Sequence, residues 1–175
     1  MFDSAAKQTE ENQVAERITV RGLVQGVGFR PTVWRLARDF NIRGSVINNG
    51  DGVEITAQGD AHDLRNFVAA ITGEAPPLSQ IFEVERQPAT VNTSLTDFQI
   101  AESKSSAVRT GVVPDAASCE ACKTETLDPF ARRFRYPFTN CTHCGPRLSI
   151  IENIPYDRAN TMMRAFEMCA ECRAE

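Results

Sequence analysis

Apolar residues recur along the first hundred positions with two different periods. Alternation of apolar and polar residues predicts five half-buried strands, at residues 17–21, 45–49, 53–58, 81–86 and 97–101. Apolar residues at three- and four-residue spacing predict two amphipathic helices, at about residues 31–40 and 61–72. The predicted order β-α-β-β-α-β, followed by one more strand, indicates an α+β fold. This fold is a ferredoxin-like plait whose helices pack on one face of an antiparallel sheet.

Polar stretches divide the chain into four parts. Residues 1–16 are polar and are expected to form a disordered tail ahead of the plait domain at residues 17–101. Residues 102–113 are rich in serine and are expected to form a linker. Every cysteine lies in residues 114–175, so this last part is expected to be a small module of a different kind.

Three glycines, Gly22, Gly26 and Gly28, mark the loop between the first strand and the first helix. Glycine lets the main chain adopt positive φ angles and approach a ligand closely. A loop that leads into a helix N-terminus also presents unpaired N–H groups at the positive end of the helix dipole, and such an arrangement binds anions. Arg30 adds a planar, permanently charged group that matches the oxygens of a phosphoryl group. The sequence therefore predicts a phosphate cradle, made by Gln25, Gly26, Val27, Gly28, Phe29 and Arg30.

Other interpretations of these residues stay open from the sequence alone. A Gly-x-Gly pattern is also typical of an ordinary turn beside a surface arginine. Asn48 lies near the end of the second strand, and a neutral amide can accept a hydrogen bond from water while it donates elsewhere. Asn48 and Asn49 could equally be turn residues, since an Asp-Gly hairpin turn follows them. His62 lies in the first turn of the second helix, away from the cradle, and is expected to be a solvated surface residue.

Composition limits the classes of protein to which the chain can belong. Its 175 residues are 42% apolar, which is enough for one substantial core and a small satellite unit. The net charge of −4 and the pI of about 5.3 favour neither a nucleic acid nor an anionic membrane as a partner. Because the first residues are polar and no apolar run has the length of a membrane span, we expect a cytoplasmic protein.

The six cysteines form three Cys-x-x-Cys pairs, a pattern that favours metal binding over disulfides in a cytosolic chain. The first two pairs are separated by 18 residues, a spacing at which four thiolates can bind Zn²⁺ tetrahedrally. The predicted ligands of this first finger, at residues 119–144, are Cys119, Cys122, Cys141 and Cys144. His143 could replace one of them. The third pair, Cys169 and Cys172, needs further ligands from another chain, from an incomplete second finger, or from interleaved pairing with the first finger.

Arg132, Arg133 and Arg135 alternate with aromatic residues, a pattern found in some nucleic-acid-binding surfaces. Residues 107–175 nevertheless contain nine lysines and arginines against nine aspartates and glutamates. Because binding of a phosphate backbone requires an excess of positive charge, we expect no nucleic-acid partner. The arginines are interpreted as a solvated structural face.

Two segments carry a resemblance to known families. Residues 21–31, Arg-Gly-Leu-Val-Gln-Gly-Val-Gly-Phe-Arg-Pro, resemble the active-site signature of acylphosphatases. The ending of this string is similar to that of the HypF family of hydrogenase maturation carbamoyltransferases. Residues 119–146, the run Pro-Tyr-Asp-Arg at 155–158 and the pair Met168-Cys169 resemble the zinc-finger region of the same family.

The resemblance implies a fold, a site and a function. It implies an acylphosphatase plait at residues 17–101, catalytic roles for Arg30 and Asn48, and a second finger that is incomplete from Cys169 onward. The implied reaction is hydrolysis of an acyl phosphate, namely carbamoyl phosphate, with structural Zn²⁺ in the finger and no metal at the hydrolytic site. This would be the first step of carbamoyl transfer in nickel-iron hydrogenase maturation. The ATP-dependent steps and the maturation partner protein would then involve C-terminal domains outside this chain.

A second function, from a different class, fits the same sequence. The chain could be a zinc-dependent protein-interaction module whose plait is catalytically silent. Binding of inorganic phosphate at Arg30 and turnover of an acyl phosphate would distinguish the enzyme from this alternative.

Overall fold

The computed structural model describes residues 13–103, 110–111, 113, 116–136, 139 and 148–174, without the side chains of residues 172 and 174. The strands are β1 (Gln13–Leu23), β2 (Arg43–Asn49), β3 (Gly52–Asp60), β4 (Gln80–Ala89) and β5 (Phe98–Ile100). The helices are α1 (Phe29–Asp39), α2 (Ala61–Gly73), α3 (Glu120–Leu127) and α4 (Ala170–Ala174). Short 3-10 turns lie at Leu148–Ile150, Arg158–Asn160 and Met162–Ala165. The predicted α+β plait with an additional strand is confirmed.

The sheet is mixed, so the prediction of a wholly antiparallel sheet is wrong. Its order is β4-β1-β3-β2-β5, and β5 runs parallel to β2. Two contacts fix β5 at this edge. Phe98 is buried and meets the ring of Phe67 edge to face at 6.2 Å, and the indole N–H of Trp34 donates to the Phe98 carbonyl at 3.1 Å. Alternation of side chains predicts a strand but carries no information about its direction.

Strand β1 begins at Gln13, so the prediction of a tail that extends to residue 16 is wrong for residues 13–16. These residues pair with β3 in unbroken register, from Gln13 opposite Asp60 onward. The buried positions Ala15 and Ile18 are three residues apart, which breaks strict alternation. This break explains why the sequence pattern places the strand start too late.

One face of the sheet carries the core of the plait. Helices α1 and α2 place Val33, Leu36, Phe67 and Ile71 against strand residues, among them Ile18. Full burial of each such side chain is worth about 1.5–3 kcal/mol. The apolar periodicity of the two helices therefore corresponds to real burial. His62 lies exposed on α2, as predicted.

Gly22 has a packing role, although its place in the glycine-rich loop suggests contact with a ligand. It adopts φ 142° at a register shift in β1, and a Cβ there would lie 2.0 Å from the carbonyl oxygen of Gln80. Strand β4, and not a ligand, therefore makes the close approach at this position.

We expect Gly22→Ala to lower the free energy of unfolding by about 2–3 kcal/mol, since it adds both backbone strain and a steric clash. Urea unfolding followed by far-UV circular dichroism measures the effect. Gly73→Ala is the matched control, because a Cβ there meets nothing within 4 Å. Equal stabilities of the two variants would contradict this role of Gly22.

The described residues of the predicted linker lie against the plait. Thr110 donates its N–H to the Gly50 carbonyl at 3.0 Å and its hydroxyl to the Gly22 carbonyl at 2.7 Å. Val113 packs against the core. In the described ranges, no helix is both long and apolar enough to cross a membrane.

Candidate active site

The loop that leads into α1 has the geometry expected of an anion cradle. Gly26 and Gly28 adopt φ angles of 74° and 77°, and Gly28 caps the helix in the left-handed conformation. Val27 and Phe29 bury their side chains in the core, so they can offer a ligand only their main chain. The N–H groups of residues 26–29 have no acceptor among the described residues. Unpaired donors at a helix start are suited to bind an anion.

Arg30 lies in the first turn of α1 and points across the site. Its side chain is only 13% exposed, and Nη1 donates to Asp157 Oδ1 at 2.8 Å. Nη2 donates to the carbonyl oxygen of Tyr156 at 3.0 Å, and a longer contact of 3.4 Å joins Nη1 to Ser103 Oγ. The guanidinium therefore faces two oxygens that belong to neighbouring residues of one segment.

Asn48 reaches the same point from β2. Its side chain is buried, and Nδ2 donates to the Tyr156 carbonyl at 2.8 Å, so this single oxygen accepts from both Asn48 and Arg30. Its Oδ1 is buried and has no hydrogen-bond partner among the described residues. An unsatisfied buried acceptor is costly unless a water molecule or ligand completes it.

Asn49 has a role in the hairpin turn that Asn48 does not share. Its Oδ1 accepts from the N–H groups of Asp51 and Gly52, both at 3.0 Å. The Asp-Gly turn interpretation therefore applies to Asn49. Asn48 instead shares the core face of β2 with Val46, two residues earlier.

Gln25 contributes a side chain whose role the sequence does not indicate. Its buried Nε2 donates to the carbonyls of Asn49 at 2.7 Å and Gly52 at 2.8 Å, and its Oε1 accepts from the N–H of Tyr156 at 2.9 Å. Gln25 thus braces the loop against the hairpin that carries Asn48. A polar residue between the apolar positions Val24 and Val27 is the one signal that points to such a brace.

Comparisons with known proteins identify the plait. Residues 16–100 match the family model described as Acylphosphatase. An acylphosphatase of Staphylococcus haemolyticus is 42% identical over 84 residues, which are 48% of this chain and 94% of that protein. The chain belongs to the acylphosphatase family. A solved acylphosphatase structure from Coxiella burnetii has a TM-score of 0.50 and 30% identity, covering 54% of this chain and 98% of that one.

The part of this acylphosphatase-family chain beyond the plait has relatives as well. Residues 119–151 match the model described as HypF finger. The protein named Carbamoyltransferase HypF from Rhodobacter capsulatus is 51% identical over 161 residues, which are 92% of this chain and 21% of that protein. The crystal structure of full-length HypF in a phosphate- and nucleotide-bound form has a TM-score of 0.83 and 45% identity, with the same coverage. The chain thus resembles the N-terminal region of HypF carbamoyltransferases and spans about a fifth of their length.

The cysteines of the HypF finger are described only in part. Cys119 is the N-cap of α3, and Cys122 is buried one turn later. Two thiols one helical turn apart are suited to bind one metal ion together. Cys141, Cys144 and His143 lie outside the described residues, as does the side chain of Cys172, while Cys169 is exposed. Among the described residues, no three metal-binding side chains converge.

The arginines of residues 114–175, called here the finger region, pair with carboxylates. Arg133 contacts Glu125 at 2.8 Å and Arg132 contacts Glu171 at 3.3 Å. Arg135 stacks over the ring of Phe134, with 5.2 Å between the guanidinium carbon and the ring centroid. These contacts agree with a structural role.

Two residues that contact the candidate site, Tyr156 and Asp157, are absent from the predicted set. They come from the finger region, 126 and 127 positions after Arg30. The Tyr156 ring lies 6.0 Å from the Arg30 guanidinium carbon. Burial raises the pKa of Tyr156 above its ordinary value, the charge of Arg30 opposes that rise, and Asp157 adds to it. The tyrosine is therefore held as a neutral phenol against the plait.

Proposed function

We propose that the plait hydrolyses an acyl phosphate and that its substrate is carbamoyl phosphate. The observation that carries this proposal is the convergence of Arg30 Nη2 and Asn48 Nδ2 on one oxygen atom, 3.0 and 2.8 Å away. Because these two donors lie on different elements and point at one atom, an oxygen of a bound phosphoryl group could accept from both. Membership of the acylphosphatase family supports the reaction class.

Binding of the phosphoryl group is the first part of the proposed mechanism. The main-chain N–H groups of residues 26–29, the Arg30 fork and Asn48 Nδ2 donate to the nonbridging oxygens of the substrate. Their partial and full positive charges neutralise charge that builds up on these oxygens in the transition state. The Gln25 brace and the buried side chains of Val27 and Phe29 keep these donors in place, so little reorganisation is needed during the reaction.

Orientation of water is the second part. Asn48 Oδ1 accepts a hydrogen bond from a water molecule and directs its oxygen in line with the bond to be broken. The water oxygen forms the new bond to phosphorus, and the bridging oxygen leaves with the acyl group. The acyl group departs as a carboxylate, which is carbamate for carbamoyl phosphate. Both hydrogens of the water remain on the phosphate product, so no separate base is required.

The wider role follows from the resemblance to HypF carbamoyltransferases. We propose that this hydrolysis begins carbamoyl transfer in nickel-iron hydrogenase maturation, and that domains outside this chain and a partner maturation protein complete the transfer. In the finger, Cys119, Cys122, Cys141 and Cys144 would hold Zn²⁺, which would supply a fixed crosslink between two parts of the module.

Replacement of Asn48 tests the mechanism. We expect Asn48→Ala to lower kcat for carbamoyl phosphate by about 10²–10³-fold, because the nucleophilic water loses its orientation and the transition state loses one donor. Release of inorganic phosphate measures the rate, with acetyl phosphate as a second substrate. Asn49→Ala is the neighbouring control: it removes the turn contacts and is expected to lower stability by about 1 kcal/mol while leaving kcat of the folded protein unchanged. Equal rates for Asn48→Ala and wild type would contradict the role of Asn48.

One observation favours the alternative, a zinc-dependent interaction module with a silent plait. The guanidinium of Arg30 is already paired with the Asp157 carboxylate at 2.8 Å. A plait that used Arg30 only to dock the finger region would have the same pair. Such a protein would release no phosphate from carbamoyl phosphate or acetyl phosphate. Measurement of phosphate release by the wild-type chain therefore distinguishes the two functions.

A further inference from the structure

The short run of residues 154–157, called here the capping segment, contacts the side chains of the proposed site. Its Tyr156 carbonyl accepts from Arg30 and Asn48, and its Asp157 carboxylate accepts from the other terminal nitrogen of Arg30. The N–H of Tyr156 donates to Gln25. Every side chain that we assign to binding, water orientation or bracing therefore contacts this one segment.

The chemistry of the capping segment matches that of a phosphoryl group. An arginine fork binds two oxygens of a phosphate at once. Here the fork binds one carboxylate oxygen, at 2.8 Å, and one carbonyl oxygen, at 3.0 Å. Together these groups present two acceptors and one negative charge to donors that a substrate oxyanion would also need. The segment thus offers Arg30 and Asn48 the kind of acceptor oxygens that a phosphoryl group would offer them.

The capping segment also has hydrogen bonds within its own part of the chain. Asn160 donates its side-chain amide to the Pro155 carbonyl at 2.7 Å and its N–H to the Asp157 carbonyl at 2.8 Å. An antiparallel bridge between Ile151 and Thr161 closes the loop that carries the segment. These bonds lie within the finger region, so the loop can leave the plait without losing its own internal hydrogen bonds.

Polar bonds hold the segment to the plait, and Pro155 and much of the Tyr156 ring are buried as well. Besides the bonds to Arg30, Asn48 and Gln25, the N–H of Ser103 donates to Asp157 Oδ2 at 3.2 Å. The Asp157 side chain keeps 29% of its surface exposed, so water can reach the ion pair and weaken it. An incoming anion can therefore compete for Arg30.

We propose that the capping segment is an internal competitive gate: Tyr156 and Asp157 occupy the acceptor positions at Arg30 and Asn48 in the resting site, and the acyl phosphate must displace them from these two side chains to bind. This inference rests on the proposed function of the same site. Only molecules whose capping segment has left Arg30 can bind substrate. The apparent dissociation constant is therefore the intrinsic one divided by this open fraction, and loss of the Asp157 contact lowers it by raising the open fraction.

The first test measures binding of inorganic phosphate to the full chain by isothermal titration calorimetry. We expect Asp157→Ala to bind phosphate about tenfold more tightly than wild type, since the closed state loses a charge-assisted hydrogen bond. Glu167→Ala is the matched control, because it removes one exposed carboxylate of the same region without touching the site. Arg30→Ala should not bind phosphate.

The phosphate titration can contradict the gate alone or the proposed function together with the gate. If Asp157→Ala binds phosphate no more tightly than Glu167→Ala, the gate is wrong, while loss of binding in Arg30→Ala would still support the proposed function. If the wild type and both carboxylate variants bind no phosphate, the proposed function is wrong and the gate with it.

A second test follows the segment itself and excludes a simple effect of removed charge. In the wild-type chain, the N–H of Tyr156 is protected by Gln25 Oε1. Saturating phosphate should make hydrogen exchange at Tyr156 several-fold faster, because the segment leaves its partners. Unchanged or slower exchange would overturn the gate, since it would mean that the segment stays closed while phosphate binds.

Discussion

Arg30→Ala is expected to lower kcat/KM for carbamoyl phosphate by about 10³-fold or more, the range seen when an arginine that stabilises phosphoryl transfer is removed. The neutral variant cannot pair with the nonbridging oxygens, and no other described side chain is placed to take over both contacts of its fork. Arg30→Lys should recover only a small part of the rate, because an ammonium group cannot present two parallel donors. Phosphate release under substrate-limiting conditions measures the effect.

The control for this prediction is another arginine of the same helix. Arg35 is exposed on α1 and pairs with Asp39 and Glu74, both at 3.1 Å. Arg35→Ala removes the same charge from the same helix and should retain near wild-type kcat/KM. Far-UV circular dichroism checks that each variant is folded. Equal activity in Arg30→Ala and Arg35→Ala would exclude Arg30 from the chemistry.

Removal of zinc is expected to unfold the finger region and leave the plait intact. Structural zinc supplies about 10–16 kcal/mol of apparent binding free energy in zinc-finger peptides, far more than the short α3 and its neighbouring turns can supply by packing. The plait has its own core and does not depend on the metal. Hydrogen exchange before and after chelation should therefore show lost protection in residues 116–136 and unchanged protection in β1 and β3.

Cysteine variants separate the alternatives for zinc ligation. Cys119→Ser should lose the metal of the first finger, measured as the zinc-to-protein ratio, because it removes one of four thiolates. Cys169→Ser is the matched control and should retain that metal. Equal zinc loss in both variants would contradict a first finger built from the four earlier cysteines and would favour interleaved pairing.

Sequence periodicity predicts most of the plait because its helices and strands bury one face each. The apolar spacing of α1 and α2 corresponds to their buried residues, and the strands lie where alternation predicts them, with shifted ends. The direction of β5 and the early start of β1 depend on long-range contacts. Phe98 meets Phe67 and Trp34 across the fold, and Ala15 breaks the alternation that would reveal residues 13–16.

The sequence predicts the part of the candidate site that lies within one short stretch of the chain. The loop glycines and Arg30 sit within one strand-to-helix connection, where helix-terminus chemistry applies. The side-chain role of Gln25 depends on carbonyls of the hairpin, 24 and 27 positions away. Asp157 comes from a separate module, and its pairing with Arg30 depends on how the finger region docks. No periodic pattern encodes such contacts.

The capping segment includes part of the sequence that resembles HypF carbamoyltransferases. The Pro-Tyr-Asp-Arg run at residues 155–158 carries part of that resemblance. Two of its residues contact the proposed site directly, through the carbonyl of Tyr156 and the carboxylate of Asp157. The finger region is therefore joined physically to the site at which the first chemical step is proposed.

The most direct test of the proposed site is a phosphate titration of the ¹⁵N-labelled chain, followed through the side-chain resonances of Arg30 and Asn48. We expect both resonances to shift together and to give one dissociation constant, because both donors bind the same anion. Sodium chloride of equal ionic strength should not produce these shifts. Resonances of Arg30 and Asn48 that stay unmoved at millimolar phosphate would contradict an acyl phosphate site between the two residues.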